Sequence, residues 1–331
     1  MTKAGIDKAA FYIPSFYLSL QTLAKARGVD PDKYSKGLGQ FEMTICPPDE
    51  GIVTMAVNAA DQCLKGINVE DIDLLLFATE SSIDQSKAAG VFAHKLLHLS
   101  PHCRIIELKQ ACYAATAGLQ LGLTYVQQNP TKKVLLLASD IARYGLNTPG
   151  ESSQGAGAVA MVLSTSPRLM QVEPGSGYHT EDCMDFWRPN YRQEALVDGK
   201  FSCEMYLKLL KETWTHYHDN TKRAFHDHDY FCYHTPLPRW AETAHSKLCM
   251  INGLHKPNRD EIISRMGQSL TYNRKIGNCY TASLYIALLS LLDNTDDDFS
   301  NKRIGLYSYG SGSVGEYYSG IIQPNYHQVL Q

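Results

Sequence analysis

The sequence predicts an α/β fold made of two similar halves, each running strand, helix, strand in the same order. Two observations predict it. Apolar runs of strand length alternate with runs of helix length, and the pattern of the first half returns in the second. Near-continuous apolar strands separated by helices imply parallel-rich sheets covered on both faces.

Residues 71–80 (DIDLLLFATE) read as a buried strand that ends on an acid, Glu80. Residues 104–108 (RIIEL) read as a strand and 111–127 as a helix rich in Ala and Leu, which puts Cys112 at or next to the helix's first turn, 32 residues after Glu80. Unpaired N–H groups and the positive end of the helix dipole stabilise a thiolate there. Position alone fits a reactive thiolate and a buried structural cysteine equally well. Residues 134–140 (VLLLASD) give the next buried strand, and 159–163 continue as strand. Ser and Pro in STSPRLMQ (164–171) then break the pattern, which divides the chain into halves 1–168 and 169–331.

In the second half, 229–234 (DYFCYH) read as a strand ending on His234. The stretch 277–289 (GNCYTASLYIALL) reads as a helix that repeats the look of ACYAATAGLQLGL, and 303–309 (RIGLYSY) match the strand after it. The acidic run 294–301 (NTDDDFSN) is a solvated connection. Ligands bind at the carboxyl edge of open α/β sheets, and Glu80, Cys112, His234 and Asn278 all fall at such ends.

Composition narrows the function. With 31 basic against 34 acidic residues and a net charge of -3, neither nucleic acid nor an anionic membrane is expected as a partner. The start, MTKAGIDKAA, has no apolar run of the signal-peptide kind, and the longest apolar stretches, such as 284–292, are too short to span a bilayer. Nine cysteines, an odd number without a CxxC pair, point to reduced thiols in the cytoplasm.

Nine blocks then follow one another in order. They are GIDKAAFYIP (5–14), GLGQFEM (37–43), ATES (78–81), ACYAAT (111–116), ASDIARYGLN (138–147), QGAGAVAMV (154–162), DFWRP (185–189), GNCYTASLY (277–285) and YGSGSVGEYYSG (309–320). Together they resemble the hydroxymethylglutaryl-CoA (HMG-CoA) synthases of the thiolase-like superfamily, in the bacterial mevalonate-pathway form. The resemblance implies a layered αβαβα fold of two pseudo-symmetric halves and a homodimer. It implies condensation of acetyl-CoA with acetoacetyl-CoA and water to HMG-CoA and CoA, with no cofactor and no metal.

The resemblance also implies roles. Cys112 takes the acetyl group as a thioester, and Glu80 removes a proton from its methyl group. A carboxylate is a weak base in water, and a water-poor site raises its pKa toward the task. His234 positions acetoacetyl-CoA and supplies a proton as the tertiary alkoxide forms. Asn278 holds the acetoacetyl group, and the backbone N–H groups of Cys112 and Ser311 form the oxyanion hole. Tyr144 and Phe186 line the acyl pocket, although ordinary aromatic packing accounts for them almost as well.

Other signals carry less. GAGAVA (155–160) resembles a dinucleotide fingerprint but continues as strand instead of turning into a helix. His216, His218, His226 and His228 read as surface histidines, since no metal motif accompanies them. Cys183, Cys203, Cys232 and Cys249 read as reduced bystanders. Two departures from the resemblance stand out. After His234 the chain reads LPRWAETAHSK, with Glu242 and Thr243 where lysines are common, which leaves Arg239 and Lys247 as candidate ligands of the CoA phosphates. The chain stops at Gln331, without the helical segment that follows the YGSG strand in relatives, so a less completely closed pocket is expected. A second reading is the related enzyme of polyketide β-branching, which takes its acyl chain from a carrier protein. The ARYGLN and DFWRP blocks favour the mevalonate type. A Cys–His hydrolase gives Glu80 no role.

Overall fold

The computed structural model describes residues 3–330; Gln331, and the effect expected from ending there, lie outside it. The first half runs β1 (Gly5–Tyr12), β2 (Phe16–Ser19), α1 (Leu20–Arg27), β3 (Glu42–Ile45), α2 (Ile52–Cys63), β4 (Ile72–Ala78), α3 (Ala89–Leu96), β5 (Arg104–Leu108), α4 (Ala114–Gln128), β6 (Lys133–Ile141) and β7 (Ala156–Ser164). The second half runs β8 (Met170–Val172), β9 (Gly177–Thr180), β10 (Phe186–Trp187), β11 (Leu196–Val197), α5 (Gly199–Thr221), β12 (Tyr230–Tyr233), α6 (Pro238–Ile251), α7 (Arg259–Met266), α8 (Asn273–Ile276), α9 (Ser283–Asp293), β13 (Arg303–Gly310) and β14 (Val314–Ile322).

Strand order displays the duplication. One sheet runs β12-β13-β14-β8-β1-β7-β6-β4-β5, with β9 added to β14. In the first half β1 pairs β7 and β7 pairs β6, both antiparallel, while β6 pairs β4 in parallel. In the second half β8–β14–β13–β12 repeats that sequence of directions. Antiparallel pairing of β1 with β8 joins the two units. The sheet is therefore mixed, where the apolar strands had suggested a parallel-rich one. Burial on both faces makes a strand apolar throughout whichever way its neighbours run, so apolarity reports burial and not direction.

Three cores define the layers. Residues of α2 and α3 cover one face of the first sheet unit, and residues of α5 and α6 cover the outer face of the second. Between the units, α4 and α9 share one core with the inner faces of both. This is the αβαβα layering implied by the resemblance. It explains α9, in which ten of eleven residues are buried, since a helix apolar all round belongs between sheets.

Two helices differ from their expected limits. Helix α4 starts at Ala114, so Cys112 lies in the turn before it. The stretch expected to be helical from 277 is broken: α8 ends at Gly277 (φ +86°), one 3₁₀ turn covers Tyr280–Ala282, and α9 begins at Ser283. Asn278 diverts the backbone, its Oδ1 accepting from Tyr280 N (2.9 Å) and Ser283 Oγ (3.0 Å). The histidine cluster is also not uniformly exposed. His228 is buried against Trp214, Tyr217 and Phe231, its Nε2 3.0 Å from the Tyr217 hydroxyl, and burial pushes its pKa down to about 4. Among the described residues no helix is long and apolar enough to cross a membrane.

Candidate active site

The site forms where the carboxyl ends of β4, β6 and β12 meet the turns before α4 and α9. Glu80 follows β4 by two residues and is buried. The neighbouring strand β6 supplies the group that fixes it. Asp140 Oδ1 accepts from the Glu80 N–H (2.9 Å), the Ser81 N–H (2.9 Å), Ser81 Oγ (2.8 Å) and Thr79 Oγ1 (2.8 Å). Its other oxygen, Oδ2, accepts from Thr281 N (3.1 Å) and Thr281 Oγ1 (2.5 Å), just past Asn278. One fully buried carboxylate thus ties the Glu80 loop to the second half of the fold. Sequence reading passed over Asp140, although VLLLASD carries the same signal as Glu80, an acid closing an apolar run. It also left Arg188 of the DFWRP block without a role. The Arg188 guanidinium donates to the carbonyl oxygens of Glu80 and Ser81.

Cys112 sits in a tight turn between β5 and α4. Its neighbour Ala111 has φ +43°, and the Tyr113 N–H closes the turn on the Gln110 carbonyl at 3.1 Å. The Tyr113 hydroxyl donates to Glu316 of β14 (2.6 Å), which anchors the turn from the second half. Gly310 permits the contact, because a Cβ there would stand 2.5 Å from the Gln110 carbonyl oxygen and 2.7 Å from Tyr113 Cβ. Positive φ at a residue other than glycine marks strain held by its surroundings. Ser82, Ala111 and Tyr280 all show it, each within two residues of Glu80, Cys112 or Asn278.

Cys112 Sγ donates to Glu80 Oε2 at 3.5 Å. Burial, then the nearby Asp140 charge, pushes the Glu80 carboxyl up to about 8, with Arg188 pulling the other way. The thiol itself is held well above the ordinary cysteine range, by burial first and by Glu80 next. The dipole acts within the first turn, and Cys112 lies outside it beside a carboxylate. Burial thus disfavours charge on either group of the pair.

A cavity of about 500 Å³ reaches the sulfur. Cys112, Tyr144, Phe186, His234, Asn278 and Ser311, all expected at the site, line it together. Tyr144, Phe186 and Tyr280 form an edge-to-face aromatic cluster with ring centroids 5.9 to 6.4 Å apart. Asn278 commits its Oδ1 to the turn before α9, which turns its NH₂ toward the Tyr144 hydroxyl. His234 follows β12, its N–H donating to the Tyr307 carbonyl (2.7 Å) and its carbonyl accepting from the Tyr206 hydroxyl (2.9 Å). Burial pushes the imidazole down to about 3. Burial thus favours the neutral imidazole.

Glu80 lines a second, polar groove of about 800 Å³, which Gln110 and Ala111 beside the cysteine also line. Phe186, Arg192 and Ser311 belong to both walls. The two candidate phosphate ligands on α6 line neither space, although Arg239 lies between the cavity-lining Leu237 and Trp240. Arg239 pairs with Glu242 and donates to the Lys36 carbonyl (2.6 Å), while Glu242 also pairs with Arg274 (2.6 Å). Lys247 is half-buried two turns further on. Cys183 donates to Asp185 (3.5 Å), and Cys232 and Cys249 are buried.

Comparison with known proteins gives a consistent result. The family model for the N-terminal part of hydroxymethylglutaryl-coenzyme A synthase matches residues 2–167, and the model for its C-terminal part matches 172–264 and 242–330. The hydroxymethylglutaryl-CoA synthase of Enterococcus faecalis is 42% identical over 327 residues, covering 99% of this chain and 85% of its own length. A polyketide-biosynthesis 3-hydroxy-3-methylglutaryl-ACP synthase of Bacillus subtilis is 34% identical, covering 98% of this chain and 81% of its own. Among solved structures, an HMG-CoA synthase complexed with CoA superposes with a TM-score of 0.94 at 40% identity, over 99% of this chain and 84% of the other. A second, in complex with 3-hydroxy-3-methylglutaryl coenzyme A, has a TM-score of 0.94 at 35% identity, over 100% and 86% of the two chains.

Proposed function

Since the chain belongs to the hydroxymethylglutaryl-CoA synthase family, with its thiolase-like fold, we propose a residue-by-residue course for the reaction. The enzyme condenses acetyl-CoA with acetoacetyl-CoA and water to 3-hydroxy-3-methylglutaryl-CoA and CoA, in the mevalonate route to isoprenoids. The observation that carries the residue roles is the 3.5 Å contact between Cys112 Sγ and Glu80 Oε2.

Cys112 attacks the acetyl thioester. Its proton passes to the departing CoA sulfur, while the backbone N–H groups of Cys112 and Ser311 hold the oxyanion. In the acetyl-enzyme the sulfur no longer ionises, and Glu80 faces a methyl group made acidic by the thioester. Glu80 takes a methyl proton, and the resulting carbon nucleophile attacks the ketone of acetoacetyl-CoA. His234 and Asn278 present N–H groups to that substrate's oxygens. The neutral imidazole keeps its proton, and Glu80 returns the methyl proton to the new alkoxide, ending as a carboxylate.

The test follows covalent intermediates by mass spectrometry. Acetyl-CoA should add one acetyl group to Cys112, and acetoacetyl-CoA should then discharge it as HMG-CoA. Cys112→Ala should take up no acetyl group. Glu80→Gln should still acetylate, because losing the carboxylate also removes a charge that holds the thiol protonated, but it should not condense. Normal condensation by Glu80→Gln would rule out the base assignment. Acetylation from an acyl-carrier protein in preference to acetyl-CoA would favour the polyketide reading.

We also propose a homodimer formed through the free edge of β5. Among the described residues this strand bonds only β4. Its Ile106 is exposed, as are Val91, Phe92 and Leu96 on the adjoining α3. An open strand edge flanked by apolar side chains favours pairing with a second copy. Light scattering after gel filtration would read the mass, and a monomer would overturn the proposal.

A further inference from the structure

The two spaces that meet at Cys112 differ in chemistry, and the reaction calls for both kinds. The 500 Å³ cavity reaches the sulfur between largely apolar and aromatic walls, among them Leu237, Trp240 and Val197. The 800 Å³ groove reaches Glu80 between hydroxyl and charged groups, among them Ser81, Ser82, Lys109 and Arg143. Its outer rim, including Gln85 and Gln193, is exposed to solvent. Cys112 lines the first space and Glu80 the second, with the sulfur and the carboxylate 3.5 Å apart and Phe186, Arg192 and Ser311 lining both.

We propose that the polar groove is the water route for the last step, the release of the product from Cys112, with Glu80 as its base. The inference rests on the function proposed above. After condensation the product is held at both ends, by the Cys112 sulfur at one acyl group and by the CoA sulfur at the other. The CoA arm then fills the apolar cavity, so water reaches the Cys112 thioester only from the opposite side. There it meets Glu80, left as a carboxylate by the preceding step. Glu80 takes one proton of the water as its oxygen bonds to the thioester carbonyl carbon. The C–S bond breaks, its electron pair goes to Cys112 Sγ, and Glu80 hands the proton to that sulfur. Water and thioester become carboxylic acid and thiol, and both catalytic groups return to their starting state.

The separation also has a use. A carbanion-like nucleophile and a thioester both react with water or its protons, and an apolar cavity on the substrate side protects them while condensation proceeds. Water admitted along a different wall can act after the carbon–carbon bond is made.

The test narrows the groove from both of its loops with Gln85→Trp and Gln193→Trp, singly and together. Neither side chain belongs to the catalytic set. In the double variant, acetylation of Cys112 by acetyl-CoA should stay within two-fold of the parent. Steady-state turnover should fall five-fold or more, and the HMG adduct on Cys112 should become the dominant enzyme form in rapidly quenched mass spectra. Val197→Trp, in the apolar cavity, should do the opposite by slowing acetylation without building up the adduct. Parent-like turnover without the adduct in the double variant would overturn the water route, as would acetylation and turnover falling together. If the double variant does not fold, the single variants are read by the same comparison. Absence of an acetyl group on Cys112 in the parent would instead count against the function itself.

Discussion

Asp140 Oδ2 lies 2.5 Å from Thr281 Oγ1, and this contact fastens the strand that follows the catalytic cysteine helix to the turn that carries Asn278. The other oxygen of the same carboxylate holds the Glu80 loop through four donors.

Asp140→Asn puts an NH₂ among donors that need an acceptor. Leaving buried donors unmatched costs on the order of 1–3 kcal/mol, so the midpoint of thermal unfolding should drop. Condensation should fall at least ten-fold as Glu80 loses its anchor, with acetylation of Cys112 less affected. A parent-like midpoint and turnover would show that the network is dispensable.

The rate of condensation should depend on pH with a defined sign. Burial and Asp140 push Glu80 up to about 8, so at pH 7 the carboxyl is mostly protonated and cannot accept a methyl proton. Turnover of pre-formed acetyl-enzyme should therefore rise with pH and level off above about 8. A limb near the ordinary carboxylate value would mean that substrate binding resets the ionisation.

The same displacement affects stability. The folded-state pKa of Glu80 is raised, so the unfolded chain loses this proton near pH 4.5 and the folded one near 8. Between these values each pH unit costs the folded state up to about 1.4 kcal/mol, and outside them the term is flat. Glu80→Gln removes the term. Its stability advantage over the parent should be small at pH 4.5 and greatest above pH 8, read from urea unfolding at the two pH values. An advantage that does not change with pH would contradict the burial argument.

Arg239 tests how this chain meets CoA. Its guanidinium is shared between Glu242 and the Lys36 carbonyl, next to Leu237 and Trp240 of the cavity wall. If it also meets a CoA phosphate, Arg239→Ala should raise KM for both thioesters three-fold or more with kcat unchanged. An unchanged KM for both would move the phosphate contact elsewhere, with Arg192, which lines both spaces, as the next candidate.

Much of the site was legible because it is written in local pattern. Glu80 and His234 each close an apolar run, and Cys112 opens a run of helix period; all three stand where the sequence put them. What the residues carry as charge was not legible. Ionisation depends on the walls around a group, and those come from segments hundreds of positions apart. Hence the upward push on the Cys112 thiol and the downward push on the His234 imidazole, both from burial, leave no mark in local pattern. His228 was misread for a similar reason. Its charged neighbours in sequence hide the fact that Trp214 and Tyr217 enclose it from another helix. The break before α9 escaped because Asn278 spends its side chain on its own backbone, which helical periodicity does not record. Asp140 was visible and was passed over.

The pairing of β1 with β8, together with the core that α4 and α9 share, makes the two halves one mechanical body. Glu80 and Cys112 come from one half, and His234, Asn278 and Ser311 from the other, so their spacing is set by the sheet and not by a closing movement. A hinge between the halves would pull the reacting groups apart with every opening. The small β10–β11 hairpin, by contrast, adds Phe186, Leu196 and Val197 to the cavity wall without belonging to that sheet. Traffic, more than alignment, is then the part of the cycle open to tuning from the surface.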